Sequence, residues 1–173
     1  MFWHCFWYLF CISVLAFFVG RILPKNWFMW NKYPYHKKSF EEKLYRKLKI
    51  GKWQNYMLDM SKIFKNIMPA KAIKGKPNKE TLTLMLRETC IAECIHKTES
   101  LLGFFCMFIW RGLGGLIISL IYFILGNLPY ILIQRYNRPR LVRLLHILEE
   151  REKIKETESD YEVASDACFN TVM

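Results

Sequence analysis

Charge is missing from the first 20 residues (MFWHCFWYLFCISVLAFFVG), and nearly missing again over residues 101–133, where Arg111 is the one Asp, Glu, Lys or Arg. That absence excludes an ordinary soluble domain, whose helices carry a polar face. A basic start and a small-x-small cleavage site are also lacking, so residues 1–20 read as an anchor rather than a signal peptide. Cys5, Cys11, Cys90, Cys94, Cys106 and Cys168 show no CxxC spacing, so neither zinc nor disulfides are expected. Position 2 is not Gly and no C-terminal prenylation box is present, so lipidation is not implied. Acidic residues are scarce, 15 against 26 Lys and Arg, giving a net charge of +11. With no nucleic-acid motif present, this surplus reads as positive-inside bias and attraction to anionic lipid.

What is present fits a bilayer. About 20 helical residues at a rise of about 1.5 Å cross the hydrocarbon layer, which suits residues 1–20. Residues 101–133 would span about 50 Å by the same rise, too long for one upright crossing. Trp110-Arg111-Gly112-Leu113-Gly114-Gly115 divides them into a short piece and a full-length helix. Arg21, Lys25, Lys32, Lys37 and Lys38 after the first span, and Arg135, Arg138, Arg140 and Arg143 after the last, place both ends of this hairpin in the cytosol. The expected fold is an all-α integral membrane protein of the cell membrane, multi-pass, with its active region on the cytosolic side. Its parts are a transmembrane anchor (1–20), a cytosolic or interfacial helical region (21–100), and a transmembrane or re-entrant hairpin (101–134). A basic cytosolic helix (135–152) and a disordered acidic tail (153–173) complete it.

Within the cytosolic region, Ser39 followed by early acids and late bases predicts a short helix over 39–48. Pro69, Gly75, Pro77 and nearby lysines predict a loop over 68–78. Asn78 is placed to cap a helix over 80–97, which contains neither Gly nor Pro. One side of that helix collects Glu88, Thr89, Glu93 and His96. A carboxylate beside an imidazole is what a general base needs to take a proton from an alcohol, and Glu93 and His96 stand three apart. The same pattern also suits a solvated, ion-paired surface. A Glu-x-x-His metal site needs further ligands, and His4, His36 and His146 form no constellation with it. Asn127, beside Pro129 in the last span, is either functional or a helix-to-helix hydrogen-bond partner. The guanidinium groups of Arg135, Arg138 and Arg140 suit a phosphate-rich donor such as coenzyme A, or anionic headgroups.

Glu88-Thr89-x-x-Ala92-Glu93-x-x-His96, together with Asn127-x-Pro129 and Gln134-Arg-Tyr-Asn-Arg-Pro-Arg-Leu141, resembles the glycosyl-4,4'-diaponeurosporenoate acyltransferase family. Gly20-Arg21, Phe40-Glu41, Ile50 and Trp53 follow in a similar order, so the resemblance spans about residues 15–150. It implies fatty acyl transfer to a sugar hydroxyl of a glycosylated, membrane-embedded carotenoid, the closing step of staphyloxanthin-type pigment synthesis. Joined to the residue reading, His96 aided by Glu93 or Glu88 deprotonates the hydroxyl, which attacks the thioester of acyl-CoA or acyl carrier protein. Arg135, Arg138 and Arg140 then bind the donor, and Asn127 polarises the carbonyl or holds the last helix. No tightly bound cofactor and no metal are expected; the partners are membrane lipid, the glycosylated lipid acceptor and the acyl donor. Acylation of another glycolipid is an alternative of the same kind. A noncatalytic membrane scaffold that binds anionic lipid is an alternative of a different kind.

Overall fold

The structure is a computed structural model that describes residues 1–57 and 78–172, with backbone alone at 159, 160 and 162–172. Among the described residues there is helix and no strand. Helix α1 (Phe2–Ile22) forms where no Pro interrupts a run of apolar side chains. It stops at Leu23, held extended (ψ 128°) by the Pro24 that follows. Two short helices come next, α2 (Glu41–Lys47) and α3 (Ile50–Trp53). Phe40, not Ser39, occupies the N-cap of α2, without a side-chain cap, because Ser39 lies one residue too early to reach the first free N–H groups. The loop expected over 68–77 lies outside the described residues.

Helix α4 (Lys79–Gly103) starts as its sequence dictates: Asn78 Oδ1 accepts from the Glu80 and Thr81 amides. It then runs six residues beyond Lys97, because nothing before Gly103 breaks it. A short α5 (Cys106–Ile109) leads to the Trp110–Gly112 turn, where Gly112 takes φ +95°, a left-handed value that favours glycine. Helix α6 (Leu113–Ile121) turns back. At Gly115 a Cβ would collide with the carbonyl oxygens of Cys106 and Trp110, so the glycine allows the two limbs to approach backbone to backbone. A π-helical segment (Tyr122–Asn127) follows, and then α7 (Leu128–Val172).

Long-range contacts fix the register of the helices. Lys25 meets Glu88, and Asn26 meets Arg87. Gly20 lies against Ile91 and Ile95, Tyr8 donates to the Leu102 carbonyl at 3.0 Å, and Cys5 Sγ approaches the Cys106 carbonyl at 3.9 Å. The later half of α4 and all of α5 therefore run antiparallel beside α1, and the glycine turn comes level with the N-terminus of α1. Helices α4 and α7 pack side by side, and away from α1 Leu82, Leu86 and Leu145 form one small core. Phe28, Cys90 and Ile91 form another.

The distribution of polarity is inverted relative to a soluble protein. Trp3, Trp7, Leu15, Leu101, Phe108, Leu113 and Leu125 face outward, while Cys5, Cys106, Ser119 and Asn127 face inward. Two helical stretches, Phe2–Ile22 and Leu113–Glu158, are long and apolar enough to cross a membrane. The chain is an all-α integral membrane protein.

The boundary expected at residue 135 falls inside α7, which continues unbroken from the π-helical segment and carries Pro139 within it. Helix is described to Val172 across residues 153–172, which contain no Gly or Pro.

Candidate active site

Helix α4 presents its polar residues to α7, and the contact resolves into two clusters about one turn apart. The first centres on Glu93, whose side chain is fully buried. Arg138 donates to it through Nη2 at 2.7 Å, Arg135 through Nη1 at 2.6 Å, and Lys97 from the next turn of α4. Arg135 also bonds Glu41, at the start of α2, and the Pro34 carbonyl at 3.2 Å. Arg138 adds Thr89 Oγ1 (3.0 Å), the Thr89 carbonyl (3.1 Å) and the Tyr35 carbonyl (2.8 Å). Burial alone raises the Glu93 pKa, but the hydrogen bonds and charges of Lys97, Arg138 and Arg135 outweigh it and hold the carboxyl below its ordinary value. This is a closed ionic clasp: it ties α2 and the 34–41 segment to α4 and α7, and its buried groups are satisfied by protein.

The second cluster lies deeper, beside α1 and the π-helical segment. His96 Nδ1 is 3.0 Å from Asn127 Oδ1 and 3.1 Å from Glu99 Oε2. The Asn127 Nδ2 group donates to the Tyr122 carbonyl at 3.2 Å, which turns its oxygen toward the ring. Both neighbours of Nδ1 are therefore acceptors, so Nδ1 carries the proton and Nε2 offers a lone pair. Tyr130 stacks on the imidazole, with centroids 4.9 Å apart and planes 14° from parallel. Asn127 and Glu99 are almost wholly buried, whereas the His96 side chain keeps 24% of its surface exposed. Below them, the Tyr122 hydroxyl meets Ser13 Oγ at 2.9 Å. A π-turn places the Asn127 side chain here; such widened turns cost helix stability and concentrate at functional sites.

The structure brings His96 and Asn127 together and separates the other expected catalytic residues from them. Glu88 does not touch the imidazole; it pairs with Lys25 at 3.0 Å, two turns nearer the start of the helix. Glu93 does not either, because the arginines hold it on the α7 side of the helix. Arg135 and Arg138 are not open phosphate clamps, since their N–H groups are taken by Glu41, Glu93, Thr89 and backbone carbonyls. Arg140 stacks over the Tyr136 ring at 4.0 Å and bonds its hydroxyl. Sequence reasoning missed Glu99, although its i,i+3 spacing from His96 equals that of Glu93 on the other side. It also missed Glu41 and Tyr130. Nothing local marks Glu41, since its partner Arg135 lies 94 residues away.

Comparison with known proteins gives this geometry a family. A family model described as glycosyl-4,4'-diaponeurosporenoate acyltransferase matches residues 24–147, which include both clusters. Proteins with that name from Staphylococcus aureus strains RF122 / ET3-1, N315 and MRSA252 are each 30% identical to the chain over 138 residues, covering 77% of it and 81% of the relative. No solved structure matches. The chain belongs to the glycosyl-4,4'-diaponeurosporenoate acyltransferase family and is an acyltransferase.

Proposed function

We propose that the chain transfers a fatty acyl group from a thioester to a sugar hydroxyl of a glycosylated carotenoid, with His96 as general base. The observation that carries this reading is the pinned imidazole: Asn127 and Glu99 hold Nδ1, the side chain keeps part of its surface exposed, and among the described residues no hydrogen bond engages Nε2. The sugar O–H gives its proton to Nε2 as its oxygen bonds to the thioester carbonyl carbon. Collapse of the tetrahedral adduct breaks the C–S bond, and the imidazolium returns the proton to the leaving thiolate. Glu99 stabilises the imidazolium and fixes the tautomer, as the carboxylate does in serine hydrolase triads. Asn127 is committed at both ends of its amide, which favours a positioning role over polarisation of the substrate carbonyl.

Register supports the membrane assignment. His96 lies eight residues beyond Glu88, about 12 Å deeper along the helix axis at 1.5 Å per residue, and Glu88 pairs with Lys25 in the basic layer. With positive residues inside, the hairpin crosses the bilayer and returns, and the reaction centre sits in the cytosolic leaflet. A carboxylate at that depth is costly unless it has a function or a partner, and Glu99 has His96. An acceptor whose polyene lies among the lipid tails presents its sugar at this level.

Lipid mass spectrometry of a host that supplies glycosylated carotenoid, expressing the wild type or His96→Ala, tests the proposal. An acylated glycoside with the wild type and none with the inserted variant is expected. Equal product from both rejects His96 as the base.

A further inference from the structure

A cavity of about 510 Å³ opens on the cytosolic side of the clasp, between α7 and the segment around residues 30–41. The half-buried Trp30 and Tyr35 form one wall, Val142 and Ile147 another, and Arg143 and Lys37 stand at the rim. We propose that this cavity binds the nucleotide end of a coenzyme A thioester and so identifies the acyl donor, an inference that rests on the acyl transfer proposed above.

Three observations converge on a phosphorylated aromatic ligand. The first is charge. Arg135, Arg138 and Lys97 outnumber Glu93 and Glu41 in the clasp. Although their N–H groups are committed, their surplus positive field extends into the cavity. Lys37 is paired with Glu42 at 3.0 Å and His146 with Glu150 at 3.2 Å, whereas Arg143 makes no ion pair among the described residues and is exposed. Arg143 is thus the guanidinium with donors to give a phosphate. The second is shape. Aromatic and aliphatic walls beside a cationic rim suit an adenine with its phosphates, and the volume lies in the range of small-molecule sites. A bare lipid headgroup has no use for the walls.

The third is position. Arg143 and Tyr130, which stacks on His96, lie on one helix, 13 residues or about 20 Å apart at helical rise. A pantetheine arm is a long, thin chain that spans a gap of that order. With the nucleotide held in the cavity, the arm delivers its thioester toward Nε2 while the clasp keeps cavity and imidazole in fixed relation.

Calorimetric titration of coenzyme A into the full chain, held in phosphatidylcholine nanodiscs, tests this without relying on turnover. Wild type and His96→Ala are expected to show the same saturable site. Arg143→Glu weakens it at least tenfold, and Val142→Trp, which fills the cavity from a partly exposed position, abolishes it with helical circular dichroism unchanged. Absence of saturable binding to wild type, or equal affinity in both cavity variants, overturns the proposal. A transfer assay run in parallel separates the two claims. His96-dependent transfer from acyl carrier protein by a chain that does not bind coenzyme A rejects the cavity and keeps the base. Full transfer by His96→Ala, with coenzyme A binding lost in Val142→Trp, does the reverse.

Discussion

The two polar clusters on α4 are neighbours on one helix and opposite in construction. Around Glu93, carboxylate and guanidinium groups close on one another, and each buried charge has an oppositely charged partner. Around His96, the same packing of α4 against the α6–α7 unit satisfies one nitrogen of the ring and, among the described residues, leaves the other. The difference teaches how to read polar residues in a membrane protein. Completeness of pairing marks a joint, and a designed gap in pairing marks a site.

Mutations should separate joint from site. The largest effect is expected for His96→Ala, a loss of about 10²–10⁴-fold in transfer rate, the range ascribed to general base catalysis. Helix content and membrane insertion are unchanged. Glu99→Gln comes next, at on the order of 10²-fold, smaller than the loss of a triad carboxylate because Asn127 still accepts from Nδ1. Rate set beside helix content distinguishes orientation from packing. From its own helix His96 faces Glu99, and from the π-helical segment and α7 it faces Asn127 and Tyr130. Tyr122 and the Ser13 hydroxyl of α1 lie behind Glu99. Loss of rate with helix content and membrane insertion unchanged identifies orientation; a packing defect lowers them together.

In the clasp the order reverses, with stability falling and chemistry surviving. Glu93→Gln leaves the buried Arg138 without its carboxylate and Arg135 with Glu41 alone, and costs about 3–5 kcal/mol in unfolding measurements, the loss typical of a broken buried pair. Rate per folded molecule stays near wild type. Because the Glu93 pKa is depressed on folding, its stabilisation is complete above the ordinary carboxylate pKa and is lost as pH falls through the folded value. Acid unfolding should therefore flatten in Glu93→Gln. The smallest effect belongs to Lys25→Ala, whose pair with Glu88 is partly solvent-exposed; it costs about 1 kcal/mol or less in the same measurement.

Much of the architecture was legible without coordinates. Missing charge marked α1 and the hairpin, Asn78 marked the start of α4, and the glycines around Arg111 marked the turn. Beyond residue 152 an acidic, polar composition resembles that of a disordered tail, while α7 is described to Val172 with no Gly or Pro to end it. At the site, His96 and Asn127 were recoverable from an imidazole and an amide in apolar surroundings. Which carboxylate serves His96 was not. Glu93 and Glu99 flank it at equal spacing, and the choice depends on α7, whose arginines draw Glu93 away and leave Glu99 facing the ring. The arginine string suggested phosphate because sequence cannot show that Glu41, Thr89 and backbone carbonyls already occupy those donors.

The most direct test of this division is the rate of acylated glycoside formation per folded molecule, measured for His96→Ala and Glu93→Gln in the same membranes. A loss of at least about 10²-fold is expected in the first, with near wild-type rate in the folded fraction of the second. Equal losses in both, or full rate in His96→Ala, would contradict it.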